Sequence, residues 1–442
     1  MATQKISLEA GPPASALPAT ADSDVAEAEA RSPERPARFR SVFTSLQYPN
    51  YRLLWSGTLI SQSGDWMDQM ALNWLVYQIT GSAVALGLLN LCRFVPILLF
   101  TLIGGVVADR WPRRRLLFST QAVAMFLAFI LAILVSTGTV QFWMVLIIAV
   151  GRGMMMSFNQ PARQSLISEL VPRSSLTNAI ALNSATLNFT RILGPAIGGV
   201  LIATVGIAGA FYANGASFLA VLVSLMLMDI PATKARVRKG MLGDLVDGLR
   251  YLMGETRLRT LVVFALVPMI LGMPYMTMLS VFAQDILGAG GAGLSILTAS
   301  TGLGALVGAL IVAGAALRQR RRVMMVALIG FGVSLIGFSF SHWLWASAIA
   351  LAAAGLSQQV YMSLNNTLIQ ESVDDAYRGR VLSTMFLNRG MVPMGSMLAG
   401  FGTSLAGAPV TIGAMAALLV LMGIGSFRNV TRSASAASSA NL

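Results

Sequence analysis

The sequence predicts an all-α membrane protein of twelve transmembrane helices, arranged as two pseudo-symmetric halves of six. Three observations carry this reading. Of 442 residues, 55% are hydrophobic and only 11% are charged, and the mean hydropathy is +0.71; a soluble domain carries about 25% charged residues. The apolar residues gather into twelve runs of the length a bilayer demands, about 20 residues each. Lys and Arg fill every second link and avoid the links between.

Residues 1–40 are rich in Ala, Pro, Ser and Glu and lack the apolar core of a signal peptide, so they read as a disordered cytoplasmic tail. A first half over 41–229 then holds spans near 53–79, 83–108, 115–136, 141–161, 178–204 and 207–229. Gly81 turns the chain between the first two spans, and the basic run Arg110 to Arg115 separates the second from the third. Arg163 and Arg173 fall after the fourth. Residues 230–258 form a polar linker in which Met241 to Leu252 repeat apolar residues at helical spacing, as a helix lying on the inner membrane surface would. A second half over 259–428 holds spans near 259–283, 293–316, 323–340, 343–366, 380–404 and 408–427, and 429–442 form a second cytoplasmic tail.

All but four of the 31 Lys and Arg residues lie in the tails or in links after even-numbered spans. A bilayer keeps such loops on its cytoplasmic side, so both termini are expected inside a bacterial inner (plasma) membrane. The net charge of +13 is thereby accounted for by topology, and no nucleic-acid partner is needed. Cys92 is the one cysteine and can form no internal disulfide.

The halves repeat each other. Arg52 and Gly81 match Arg259 and Gly288, and Arg113 to Arg115 match Arg320 to Arg322, all at an offset of 207. Glu169-Leu-Val-Pro after the fourth span matches Glu371-Ser-Val-Asp after the tenth. Parallel six-helix repeats with a substrate site at their interface describe one transporter architecture.

Between the second and third spans, Gly105, Asp109, Arg110, Arg113 and Arg114 form a GxxxDR-x-x-RR link that resembles the loop signature of the major facilitator superfamily, with Pro112 where a glycine is usual. In the fifth span, Gly194, Pro195, Gly198 and Gly199 resemble the antiporter motif of its drug-exporting branches, with Thr190 at an upstream glycine position. Tyr48 to Trp55, Gly64 to Met67, Gln160 to Ala162, Leu170 to Pro172 and Asn178 to Asn183 are similar to the bacterial siderophore and macrolide exporters called transmembrane secretion effectors. The resemblance covers about 41–428 and implies the major facilitator fold, export driven by inward proton flow, and a cytoplasmic gate at the GxxxDR link.

The spans contain two deep carboxylates, Asp65 and Asp68, both in the first. A charge at mid-bilayer costs about 2.5–3.5 kcal/mol, so it normally faces a cavity or a partner and marks an ion path. Thr58, Ser61, Gln62, Asp65, Asp68, Gln69 and Asn73 recur at three- and four-residue steps and lie on one face. Burial favours a neutral carboxyl and a nearby cation favours the charged one, so a carboxyl that alternates between them carries a proton. Asp65, nearer the centre of its span, is the first candidate and Asp68 the second; a buried ion pair to an arginine is the other role open to them, and both can hold at once.

Arg93, Arg152, Arg191 and Arg389 lie inside spans. In the resemblance, Arg152 occupies the fourth-span position linked to proton coupling. Four arginines against two aspartates leave positive charge to be met by carbonyls, water or an acidic or oxygen-rich substrate. Substrate contact and structural bracing stay equally open for Arg191 and Arg389. Gln62, Gln69, Asn73, Asn159, Asn183, Gln358, Asn365 and Asn388 offer neutral hydrogen bonds to a cavity, with Met273, Tyr275 and Met276 adding an adaptable apolar wall.

No GxxxxGK[ST], HExxH, paired cysteine or GxSxG motif occurs. No enzyme, ATP, metal or other cofactor is expected. The expected partners are a small amphiphilic substrate, protons and the bilayer, with the chain acting as a monomer. Uptake of an organic acid or metabolite, and a non-transporting membrane scaffold or sensor, stay open beside export.

Overall fold

The computed structural model describes residues 43–229, 256–314, 319–373 and 391–439, with backbone alone at 101–102, 105–106, 108–110, 188, 256–257 and 428–439. The expected tail over 1–40, most of the linker with its amphipathic helix, and the site candidates Asn388 and Arg389 lie outside the described residues.

Among those residues the chain is helical without strands. Before residue 230 a first set comprises α1 (Pro49–Thr80), α2 (Ala83–Arg110), α3 (Arg113–Ser136), α4 (Phe142–Leu170), α5 (Arg173–Thr204) and α6 (Ile207–Leu227). A second set comprises α7 (Thr256–Leu271), α8 (Tyr275–Val281), α9 (Gly290–Gly314), α10 (Arg320–Ser339), α11 (Leu344–Ser372), α12 (Met391–Ala406) and α13 (Ala408–Ser439). Nine stretches among the described residues are long and apolar enough to cross a membrane. They leave out α1, diluted by its polar stripe, α11, diluted by Gln358 and Gln359, and α12, described over only 16 residues.

Local chemistry sets the ends. Pro49 opens α1, where its missing N–H costs nothing. Gly81 closes it in the left-handed region at φ 59°, donating its N–H to Tyr77 O at 2.8 Å, and Ser82 caps α2 by accepting from Ala85 N at 3.3 Å. Gly288, the repeat partner of Gly81, takes φ 57°.

One expectation, the place of Arg163 in a link, is corrected, and two other elements gain detail. The seventh span is broken: Gly272 and Met273 both turn back to Pro268 O, and Pro274 has no N–H to continue the ladder, so α7 stops at Leu271 and α8 restarts at Tyr275. The fourth helix runs to Leu170, which puts Arg163 inside it, 9% exposed, and not in a link. The last helix continues to Ser439, through most of the stretch expected as a tail.

Within the first set, α1 packs on α5 and α6, α2 on α4, and α3 on α4 and α6. Between the sets, α2 lies along α12 and α5 along α9. Small residues permit this approach, as they must where no hydrophobic effect drives helices together: a methyl group on Gly87 would lie 2.9 Å from Met397 Cα, and one on Gly400 would lie 2.6 Å from Ala83 O. With Gly302 against Ile192 and Gly291 against Ile202, these junctions run from mid-depth to the end opposite the arginines of α3 and α10.

Candidate functional site

Polar side chains of α1 meet those of α2, α4 and α6 inside the first set. Asp68 is fully buried, and both of its oxygens are engaged: Arg152 of α4 donates Nη1 to Oδ2, and Asn214 of α6 donates Nδ2 to Oδ1 at 2.9 Å. Asp65, one turn earlier, keeps 44% of its side chain exposed and lies 3.5 Å from Arg152 Nη2. One guanidinium therefore serves two carboxylates, one sealed and one open. Arg93 of α2 stands within electrostatic reach of all three.

Glycines place these groups. A methyl group on Gly64 would lie 2.7 Å from Asn214 Oδ1, so the bare backbone one turn before Asp68 lets α6 come close enough for its amide to bond. Gly153, next to Arg152, rests on the backbone of Arg93 and holds α4 against α2. A turn below Asp65, the Gln62 amide faces Arg163 and, turned so that its oxygen points there, accepts from the guanidinium at 2.5 and 3.2 Å. Asn214 and Arg163 are the site residues that sequence reasoning missed.

The other cavity candidates separate. Asn90 donates to Asn73 at 3.3 Å and Asn159 donates to Thr120 at 3.4 Å, so each of these two candidates also ties neighbouring helices together. Gln69 and Asn183 are half-buried, with no hydrogen-bond partner among the described residues. Arg191 of α5 has its guanidinium 5.8 Å from the Trp66 ring, touches Met276 Sδ at 3.6 Å, and leaves its buried Nε without a partner. It meets no carboxylate among the described residues.

In the second set, Tyr275 donates to Gln358 Oε1 at 3.2 Å, and the Gln358 amide nitrogen rests against the sulfurs of Met273 and Met362. Met273, Gln358 and Met362 border a small cavity of about 30 Å³ between α7 and α11 that Asn365 also lines.

At the arginine-rich end, Arg113 pairs with Glu169, and Arg114 donates to Met226 O at 3.0 Å, a cation on the last turn of α6. Arg320 pairs with Glu371, so both glutamates of the sequence repeat meet the arginine at the matching position. The side chains of Gly105, Asp109 and Arg110 lie outside the described residues. The antiporter-like residues form a junction: α5 runs unbroken through Pro195, Gly194 and Gly198 pack on Trp66, Met67 and Met70 of α1, and Gly199 packs on Ser295 of α9. At the opposite end, Tyr77 of α1 donates to Asp285, just beyond α8, a bond across the two sets.

The sequence profile of the transmembrane secretion effectors matches residues 40–441. The chain belongs to that family. A secretion effector is a membrane transporter and not an enzyme, and this one is a multi-pass plasma-membrane protein. It is 30% identical to the staphyloferrin A transporter of Staphylococcus aureus over 355 residues, covering 78% of this chain and 88% of that one. It is also 30% identical to the multidrug efflux pump Tap of Mycobacterium tuberculosis, covering 86% and 93%, and 23% identical to macrolide efflux protein A of Streptococcus pyogenes, covering 76% and 86%. Among solved structures, a bacterial homologue of the lysosomal transporter Spinster, inward-facing and unoccupied, superposes with TM-score 0.69 at 14% identity over 87% of this chain and 97% of that one. The nucleoside transporter NupG gives TM-score 0.69 at 13% identity over 86% and 98%. At such identities the likeness shows the fold alone, which is the major facilitator fold.

Proposed function

We propose that this secretion effector exports an amphiphilic small molecule in exchange for protons, by alternating access between two six-helix halves, 41–229 and 259–428. The observation that carries the reading is Arg152 shared between sealed Asp68 and open Asp65. Asp68 has both oxygens engaged and no exposure, so it anchors the guanidinium. Asp65 reaches solvent and exchanges the proton. When it is charged it holds Arg152; when it is protonated that hold weakens and one orientation of the two halves is favoured. Antiport then requires that the proton load in one orientation and the cargo in the other.

The arginine-rich end is read as cytoplasmic, with both termini on that side. The Tyr77–Asp285 bond and the glycine junctions then close the outer end, and the site faces inward. Gly105, Asp109, Arg110, Arg113 and Arg114 form the gate that closes the inner end in the opposite state, while the Gly194–Pro195 and Gly198–Gly199 junction seals the outer one. The chain works as a monomer without ATP. Efflux by the macrolide and multidrug relatives supports the outward direction.

The test is transport by purified protein in vesicles under an imposed proton gradient. Asp65→Asn should insert normally and lose gradient-driven accumulation. Flux that follows the proton instead of opposing it would replace export by uptake, and undiminished coupling in Asp65→Asn would remove Asp65 from the mechanism.

A further inference from the structure

Arg191 is a cation near the middle of α5 that the proton site does not use. Among the described residues, the charged groups in electrostatic reach of Asp65 are Arg152, Arg93, Asp68 and Arg163, and Arg191 is not one of them. A charge at such depth is costly unless it meets a partner or water. Arg191 meets no carboxylate: its guanidinium stands 5.8 Å from the Trp66 ring, and Nη2 rests on Met276 Sδ at 3.6 Å. Both are weak partners for a full charge, since a ring face offers only its quadrupole and a thioether is a poor acceptor. Nε is sealed without a partner, whereas Nη1, equally unpartnered among the described residues, still touches solvent.

The sequence sets this position. A methyl group on Gly194, one turn after Arg191, would lie 2.7 Å from Trp66 Cβ, so the bare backbone lets α1 close on α5 and brings the indole to the guanidinium. The next residue, Ile192, packs on Gly302 of α9, and Met276 belongs to α8, so Arg191 lies where the two sets meet. Beside it Asp65 is 44% exposed, and Trp66, Gln69 and Met276 are half-buried, so this part of the boundary is open to solvent.

The inventory defines the ligand. One open guanidinium neutralises one negative charge. The described groups around it, Trp66, Tyr275 and Met276, hold no second cation, and the Tyr275 hydroxyl is spent on Gln358. A carboxylate accepts at the Nη edge that the burial of Nε leaves available, and the indole and thioether flank an apolar body. A phosphate dianion would leave one charge unmet against an apolar wall, and a neutral ligand would leave the cation as it is.

We infer that Arg191 anchors a single carboxylate of the cargo at the Nη edge of its guanidinium, on the boundary of the two halves, with the apolar body of the cargo against Trp66 and Met276. This deepens the export reading and rests on it, naming the cargo as an amphiphilic monocarboxylate. The anchor and the proton site are separate groups, so Arg191 selects the cargo and Asp65 drives it. Arg191 touches α1 through Trp66 and α8 through Met276, so rocking of the halves changes the surroundings of whatever it holds.

The test is calorimetric binding to protein in phosphatidylcholine nanodiscs, with empty nanodiscs subtracted and no proton gradient. A failure of proton coupling leaves this measurement untouched, so the two failures are distinguishable. The probes are 4-tert-butylbenzoate and its neutral counterpart 4-tert-butylbenzamide. Wild type should bind the benzoate about tenfold more tightly, as one charge-assisted hydrogen bond allows. Arg191→Gln should bring that ratio close to one and melt no lower than wild type without ligand, because the arginine has no carboxylate to lose. Arg191→Lys keeps the charge without the fork and should hold the ratio at roughly threefold. Equal binding of the two probes by wild type, no benzoate binding above empty nanodiscs, or a ratio that survives Arg191→Gln would overturn the inference. A lower melting temperature of Arg191→Gln with that ratio unchanged would make Arg191 a brace instead.

Discussion

Asp68→Asn isolates what the sealed carboxylate does. Asp68 accepts from Arg152 at one oxygen and from Asn214 at the other, with no exposure to water. An asparagine there has one oxygen and one NH₂. Turned toward Arg152, the NH₂ meets a donor; turned the other way, it meets the Asn214 amide donor. Either way a buried donor faces a donor, and Arg152 keeps only one carboxylate, Asp65 at 3.5 Å. Breaking a buried pair from one side costs about 3–5 kcal/mol. Asp65→Asn removes a carboxylate that is 44% exposed, and solvent screening limits that loss to about 0–1 kcal/mol. Both can be read by titrating SDS into mixed micelles and following tryptophan fluorescence. The double variant Asp68→Asn with Arg152→Gln no longer strands a buried cation and should recover a good part of the single loss. The reasoning fails if Asp68→Asn costs under about 1 kcal/mol, if Asp65→Asn costs more than Asp68→Asn, or if the double variant is simply the sum of its parts.

Two further outcomes follow from the packing. Gly64→Val should cost about 1–3 kcal/mol, because its branches would enter the space of Asn214 and Ser217 and push α6 away from Asp68, again measured by unfolding in mixed micelles. Tyr77→Phe deletes the bond to Asp285 at the closed end; since Asp285 is exposed, the loss is about 1 kcal/mol, or roughly fivefold in population. Spin labels at Ile79 and Gln284, on a Cys92→Ser background, should then show a larger long-distance fraction, and an unchanged distribution would deny the bond any part in closure.

Much of this site was legible in the chain because charge in an apolar span is costly and therefore conspicuous. Asp65, Asp68 and Arg152 stood out on that ground, whereas the repeated glutamates marked the two halves without pointing at the arginines they meet. The roles of Asp65 and Asp68 were harder to separate. They share one face of α1, and only the approach of α6, permitted by Gly64 and completed by Asn214, decides which of them is sealed. Asn214 itself is a single amide within a strongly apolar run and carries no periodic signal. Arg163 read as a link residue because hydropathy falls near Pro161, yet the helix continues to Leu170. The break in the seventh span was written in Gly272-Met-Pro274, but apolar length outweighed it. Tyr77 and Asp285 pair across the two sets, 208 positions apart, and no local pattern records such a meeting.

The central claim is that Asp65 exchanges the proton while Asp68 only anchors Arg152. A thermal-shift screen of siderophores, macrolides and lipids supplies a cargo, taken as the first compound that stabilises the protein. That cargo is then followed in vesicles with and without an imposed proton gradient. Wild type should accumulate it against its own gradient, and Asp65→Asn should still equilibrate it but never concentrate it. Accumulation by Asp65→Asn equal to that of wild type would contradict the account.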